Sequence, residues 1–185
     1  MFQHLLPNLR PRRNDAKKLS PYFHQGETAA DIGAGSGMLA YELQKITGAS
    51  FTLLDVTDYH TVPLPLQLFD GNTIPFPDKH FDTTLLVLVL HHLKTFKDQE
   101  VLLREVRRVT KKQVLIVEVT PPNAFWWWLN AIWDVIANSP HGVPSTFFYR
   151  SESGWRDLFQ LMSFQNVESK KWMRIFPVTL YVLSC

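Results

Sequence analysis

Cysteine is nearly absent. The chain of 185 residues has one, Cys185 at its last position, so no intrachain disulfide and no cysteine-based metal or redox centre can form. A reducing, cytoplasmic setting is the expectation. Excess charge is also lacking: nineteen Lys and Arg stand against seventeen Asp and Glu, a net +2, too little to attract nucleic acid, and no nucleic-acid partner is expected. The imbalance is local, because within residues 1 to 20 Arg10, Arg12, Arg13, Lys17 and Lys18 are opposed only by Asp15. A short basic end of this kind is ordinarily a solvated arm, and secondarily a contact for an anionic partner or membrane surface. Long apolar runs are missing too: nothing approaches the ~18 to 20 residues needed to span a bilayer, since Asn130 and Asp134 interrupt even the tryptophan-rich segment. Met1 to Leu6 precede the basic residues, the reverse of a secretory leader.

What is present describes one folded domain over residues 1–185, with 45% hydrophobic and 19% charged residues. Asn14 to Gln25 is expected as one short helix. Thr28 to Ile32 form a strand running into Gly33-Ala34-Gly35-Ser36-Gly37, and Met38 to Ile46 carry apolar residues at helical spacing. Gly48 stops that helix, and Phe51 to Leu54 make a second buried strand ending in Asp55. A proline-rich loop over Thr61 to Pro65 leads to a short third strand, Leu66 to Phe69, before Asp70-Gly71. Thr83 to Leu90 form the apolar run of a central parallel strand, ending at His91-His92. Lys94 to Lys112 make an amphipathic helix, Gln113 to Val119 a fifth strand, and Ala124 to Asn138 a helix with a polar stripe of Asn130, Asp134 and Asn138. A further helix starts near Ser151, and Asn166 to Trp172 pairs with Val178 to Leu183 as an antiparallel hairpin. The alternation of strand and helix implies an α/β fold wound around a mostly parallel sheet.

A glycine loop between first strand and first helix lets a ligand approach the backbone, with amides and the helix N-terminus facing negative charge. A dinucleotide fingerprint would need its third glycine where Met38 stands, and Asp31 would repel a pyrophosphate. A nicotinamide oxidoreductase is therefore disfavoured. A carboxylate beside exposed amides suits a ligand with both an ammonium and a carboxylate, as the methionine end of S-adenosylmethionine has. Asp55, about 20 residues beyond the loop, is placed to accept ribose hydroxyls. Asp70, with Gly71 giving room, is placed to accept from an adenine amine, and the three carboxylates end three successive strands.

Together, Asp31-Ile-Gly-Ala-Gly-Ser-Gly37, Asp55, Asp70-Gly71, Pro75-Phe-Pro-Asp78, Phe81-Asp82 and Leu90-His-His-Leu93 resemble the class I S-adenosylmethionine-dependent methyltransferases, particularly the quinone-biosynthesis branch. The similarity is specific from about Thr28 to Val119 and weaker through Tyr149 to Val167. It implies a Rossmann-like three-layer sandwich with a seven-stranded, mostly parallel sheet and an antiparallel C-terminal strand. It also implies cofactor contacts from Gly33, Gly35, Asp55, Asp70 and the backbone near Leu88. Two departures stand out: only about thirty residues precede the motif, and Met162-Ser163-Phe164 lies where such proteins usually have a glycine before the phenylalanine. On this plan residues 1–27 are an arm and helix, 28–120 the cofactor-binding core, 121–150 a candidate lid and 151–185 a helix and hairpin.

For the acceptor, His91 and His92 leave the fourth strand near where a methyl group would project, and His141 follows the tryptophan helix; each is a candidate to take a proton. The alternative for the first two is that one packs under the cofactor while the other bonds a loop. No Asp/Asn-Pro-Pro-aromatic motif follows the fourth strand, which disfavours base methylation. That strand ends in histidines rather than a carboxylate, so no metal is expected. Six tryptophans are many for this length, and the consecutive Trp126, Trp127 and Trp128 cannot share one face of a helix. Some line a pocket, or meet a membrane or protein partner. The expectation is a single-domain methyltransferase acting on a small, apolar or aromatic methyl acceptor; the rival is a non-catalytic cofactor-binding or partner-binding module with a degenerate substrate cap.

Overall fold

A computed structural model describes residues 12–138, 146–173 and 176–185. The strands β1 (Thr28–Ile32), β2 (Ser50–Asp55), β3 (Leu66–Leu68), β4 (Phe81–Val87), β5 (Thr110–Val119), β6 (Gln165–Met173) and β7 (Pro177–Ser184) form one sheet in the order β3-β2-β1-β4-β5-β7-β6. β1 to β5 are mutually parallel, and β7 runs antiparallel to both neighbours. The expected seven-stranded sandwich and its C-terminal hairpin are thus present.

Alternation along the strands divides the apolar residues between two layers. Ala29, Leu53, Leu85, Leu115 and Val117 join one buried cluster with residues of α1 (Arg12–Leu19) and α2 (Met38–Thr47). Ala30, Ile32, Leu54, Leu86, Val114 and Ile116 join the other with α3 (Phe96–Val109) and α5 (Glu152–Leu161). Both faces of the central strands are covered, which is why they read as unbroken apolar runs rather than alternating ones. Strand order reverses direction between β1 and β4, and such a reversal opens a crevice beyond the C-terminal strand ends.

Several expected boundaries shift for local reasons. The first helix ends at Leu19 rather than Gln25, because Pro21 has no amide to continue the ladder and a single 3-10 turn, Ser20–Tyr22, follows. β4 ends at Val87, three residues early: Leu88 turns into the left-handed region at φ +60° while its amide donates to the Val117 carbonyl at 2.8 Å. The helix expected to reach Lys112 ends at Val109, and β5 starts at once at Thr110, whose buried hydroxyl lies 2.9 Å from that of Thr84. The Ala124–Asn138 helix, α4, has the expected bounds.

The missing glycine before Phe164 leaves a mark. Ser163 adopts φ +58° just past α5, its amide donating to the Gln160 carbonyl while that of Phe164 donates to Phe159. A β-carbon in this conformation costs about 1–2 kcal/mol, partly offset by glycine's greater freedom in the unfolded chain. Ser163→Gly is therefore expected to raise the unfolding free energy by up to about 1 kcal/mol. Urea denaturation measures it, and a clear loss of stability would show that the serine side chain does something the backbone geometry does not reveal.

Candidate active site

Three left-handed glycines shape the loop after β1: Gly33, Gly35 and Gly37 have φ of +71°, +55° and +73°. A β-carbon on Gly33 would lie 2.6 Å from a Val89 methyl, and one on Gly37 equally close to Leu53. Those two glycines allow protein to pack on protein. Gly35 differs, for a β-carbon there meets nothing within 4 Å, leaving over the loop the open space that a bound ligand needs. The Asp55 carboxylate accepts from the Gly35 amide at 2.8 Å and from Val56 at 2.7 Å. It therefore holds the loop in shape.

Asp31 and Asp55 are both buried, at the C-terminal ends of adjacent strands. Asp70 is exposed, two residues past β3, and accepts from the Asn72 and Thr73 amides at 2.8 and 2.7 Å; the Thr73 bond, then that of Asn72, lowers its pKa. Gly71, at φ +83°, completes that turn. The three carboxylates line successive strand ends, with Asp70 at the rim. Leu88 lies at the neighbouring exit of β4, and Val89 packs over Gly33, so the glycine loop and this exit share one wall.

Behind that wall stands a residue the sequence reading passed over. Glu118, fully buried in β5, accepts through one oxygen from the Val89 and Leu90 amides at 2.9 and 2.7 Å, and its other oxygen lies 2.7 Å from His91 Nδ1. Burial opposes its ionisation, yet the His91 charge and these bonds hold its pKa below the usual carboxylate range. Burial would likewise keep His91 neutral, but the Glu118 and Asp134 carboxylates outweigh it and push the imidazole up to about 9. The sequence did carry a signal: one acid in the otherwise apolar run Val114-Leu-Ile-Val-Glu-Val119 must have a partner if buried.

Two further groups complete the cluster. Asp134 of α4 lies 3.8 Å from His91 Nε2 and 3.9 Å from His92 Nδ1. His92 is half-buried and packs against His91, the rings tilted by 43° with centroids 4.1 Å apart. His91 is thus enclosed between two carboxylates, which fits a positioning role better than that of a free base. His141 lies outside the described residues.

α4 inverts the usual arrangement of an amphipathic helix. Its polar stripe points inward, Asn130 at 4% and Asp134 at 8% exposure, while Phe125, Trp128, Ile132 and Ile136 are 68, 63, 55 and 62% exposed. The three consecutive tryptophans do diverge: Trp127 packs toward Phe147 and Tyr149, Trp128 points outward, and Trp126 lies half-buried against Phe125. The segment 146–150 folds back over the histidines. Thr146 donates to the His91 carbonyl at 2.7 Å, and Gln99 joins the Leu90 and Phe148 carbonyls while accepting from Arg150. Among the described residues no helix is long and apolar enough to cross a membrane. A separate depression of about 460 Å³, lined by Lys18, Tyr22, Lys170 and Trp172 among others, contains none of these groups.

Comparison with known proteins agrees with this geometry. A family model described as a methyltransferase domain matches residues 30–117. The chain is 26% identical over 178 residues to a demethylmenaquinone methyltransferase of Corynebacterium kroppenstedtii, covering 89% of this chain and 75% of that protein. It is 32% identical over 108 residues to the ubiquinone/menaquinone biosynthesis C-methyltransferase UbiE of Cupriavidus necator, covering 50% of this chain and 43% of the relative. A solved S-adenosylmethionine-dependent methyltransferase from Methanosarcina mazei superposes with a TM-score of 0.70 at 17% identity, covering 90% and 96% of the two chains.

Removing one member of a buried ionic cluster strands the others. Glu118→Ala is therefore expected to cost about 3–5 kcal/mol of stability, read by chemical denaturation. A loss below about 1 kcal/mol would mean that the Val89 and Leu90 amides and His91 find other partners.

Proposed function

We propose that this chain is a class I S-adenosylmethionine-dependent methyltransferase and that it methylates a small apolar, quinone-like molecule that it takes from a lipid surface. The cofactor supplies an electrophilic methyl group on a sulfonium. The chain's own work is to hold that group and the acceptor in contact and to keep water out, which provides much of the effect in an in-line displacement. The loop Gly33 to Gly37 with Asp31, Asp55, Asp70 and Gly71 would hold the cofactor, and Leu88 would border it. α4 and the strap 146–150 would form the lid, tied down through Thr146, Gln99 and Arg150. His91 would be a positioning residue, with His92 bordering the acceptor.

The observation that carries the acceptor reading is the inversion of α4. Phe125, Trp128, Leu129, Ile132, Trp133 and Ile136 recur at intervals of three and four and are all exposed, forming a stripe about 16 Å long. Asp134, the helix's single charged residue, faces inward. An uncharged stripe rich in tryptophan, on a helix too short to span a bilayer, suits a helix lying in the membrane interface. The same helix supplies Asp134 and Trp127 to the mouth of the site, so an acceptor dissolved in lipid would meet the site where the helix lies. The names of the quinone-biosynthesis relatives support the same acceptor class.

Titration calorimetry is expected to show binding of S-adenosylhomocysteine without comparable binding of NAD. Gly35→Val should abolish it, by filling the open space over the loop in a strained conformation. Asp55→Ala should weaken it by about 2–3 kcal/mol, and unchanged affinity would move the ribose elsewhere.

The wild-type protein should also sediment with phosphatidylcholine vesicles. The double substitution Trp128→Asp, Ile132→Asp should release it while leaving cofactor affinity intact, since both residues face away from the site. No vesicle binding, or a dimer that the double variant dissociates, would reject the lipid reading in favour of a protein partner. Failure to transfer a labelled methyl group to any demethylated quinol would favour the non-catalytic module.

A further inference from the structure

We propose that His91, His92 and Asp134 form a binding site for one divalent transition-metal ion, anchored from behind by Glu118. Each of the three offers a ligand atom, and these atoms all lie within 4.8 Å of one another. The two gaps to Asp134, 3.8 and 3.9 Å, are wider than a hydrogen bond. Two ligands about 2.1 Å from an ion at a tetrahedral angle stand about 3.4 Å apart. Side-chain rotation would have to close the two gaps to Asp134 by about 0.4–0.5 Å and the remaining separation by up to about 1.4 Å.

The surroundings match a metal site in two independent ways. Glu118 lies 2.7 Å from His91 Nδ1. A carboxylate there fixes the proton on Nδ1, so that His91, on giving up its second proton, would direct the Nε2 lone pair into the gap beside Asp134, the carboxylate–histidine–metal arrangement that orients an imidazole ligand. Charge is met as well, provided that the ion takes the place of the second His91 proton. Glu118 is fully buried and Asp134 nearly so, and two carboxylates beside two neutral imidazoles are compensated by a dication.

Two nitrogens and one carboxylate select a borderline ion, Zn²⁺, Co²⁺ or Fe²⁺, over the all-oxygen ions Ca²⁺ and Mg²⁺. Three protein ligands leave a position open; the Tyr149 ring centroid lies 5.4 Å from that of His91, and Trp127 packs on the Tyr149 ring at 6.0 Å. An oxygen ligand between aromatic walls, such as the hydroxyl of an aromatic acceptor giving up its proton to solvent as it is ligated, is the chemistry that such a position would take. Only this last step rests on the methyl-transfer reading. The expectation of no metal was drawn from the histidines that end the fourth strand; Asp134, arriving from α4, is what the proposal adds to them.

The test uses chelator-treated full-length protein titrated with Co²⁺, then with Zn²⁺, in the absence of cofactor and acceptor. One equivalent of Co²⁺ should give ligand-field absorption that Zn²⁺ displaces. His92→Ala and Asp134→Asn should each weaken Co²⁺ binding by tenfold or more, and Glu118→Gln by roughly 10- to 100-fold, with far-ultraviolet circular dichroism and cooperative unfolding verifying that each variant is folded. Absence of Co²⁺ and Zn²⁺ binding by the wild type, or binding undiminished in both His92→Ala and Asp134→Asn, overturns the proposal. Because no methyl transfer enters the measurement, its failure and that of the proposed function are separately visible.

Discussion

A carboxylate with no solvent contact organises the working end of this molecule. Glu118 accepts two successive backbone amides where β4 leaves the sheet and lies against the imidazole that follows them. A buried acid costs several kcal/mol unless it is satisfied. Its partners are therefore constrained as strongly as it is: the chain turns at Leu88, Val89 is set over Gly33, and His91 points toward α4. The glycine loop and the histidine pair come from different parts of the sequence but share this support.

The same electrostatic demand explains the inverted helix. His91 and His92 present positive or polarisable nitrogen beneath α4, and a purely apolar face laid on them would leave those atoms unsatisfied. Asp134 meets both histidines, so the polar stripe turns inward and the apolar stripe is left outside. Exposing that surface is unfavourable for an isolated protein in water. Its position at the mouth of the site links the fold's energetic imbalance to the lipid surface proposed above.

Much of the fold was legible in the sequence. Five parallel strands announce themselves as short apolar runs ending in Asp31, Asp55, Asp70, His91 or Thr120, and the punctuation by Gly48 and Pro121 places the helices between them. The glycine loop was legible for a stronger reason: positive φ at Gly33, Gly35 and Gly37, and close packing on Val89 and Leu53, leave few residue types able to stand there. Boundaries were less legible because single residues moved them, Pro21 at the first helix and Thr110 at the start of β5. The departure at Ser163 was visible as an odd residue, but only the backbone angle shows that serine has taken a conformation suited to glycine.

The sequence by itself determined the class of domain, its sheet and the end that carries the glycine loop, because these depend on hydrophobic period and glycine placement, which act between near neighbours in the chain. It could not determine which way α4 turns. That choice depends on Asp134 meeting His91 and His92, more than forty positions earlier, and on Glu118 holding His91 in place. Contacts of that separation have no local signature, since the same helix, its stripes reversed, would satisfy every short-range preference equally well. Only the tertiary structure decided that its polar side belongs to the site and its tryptophan-bearing side to the surroundings.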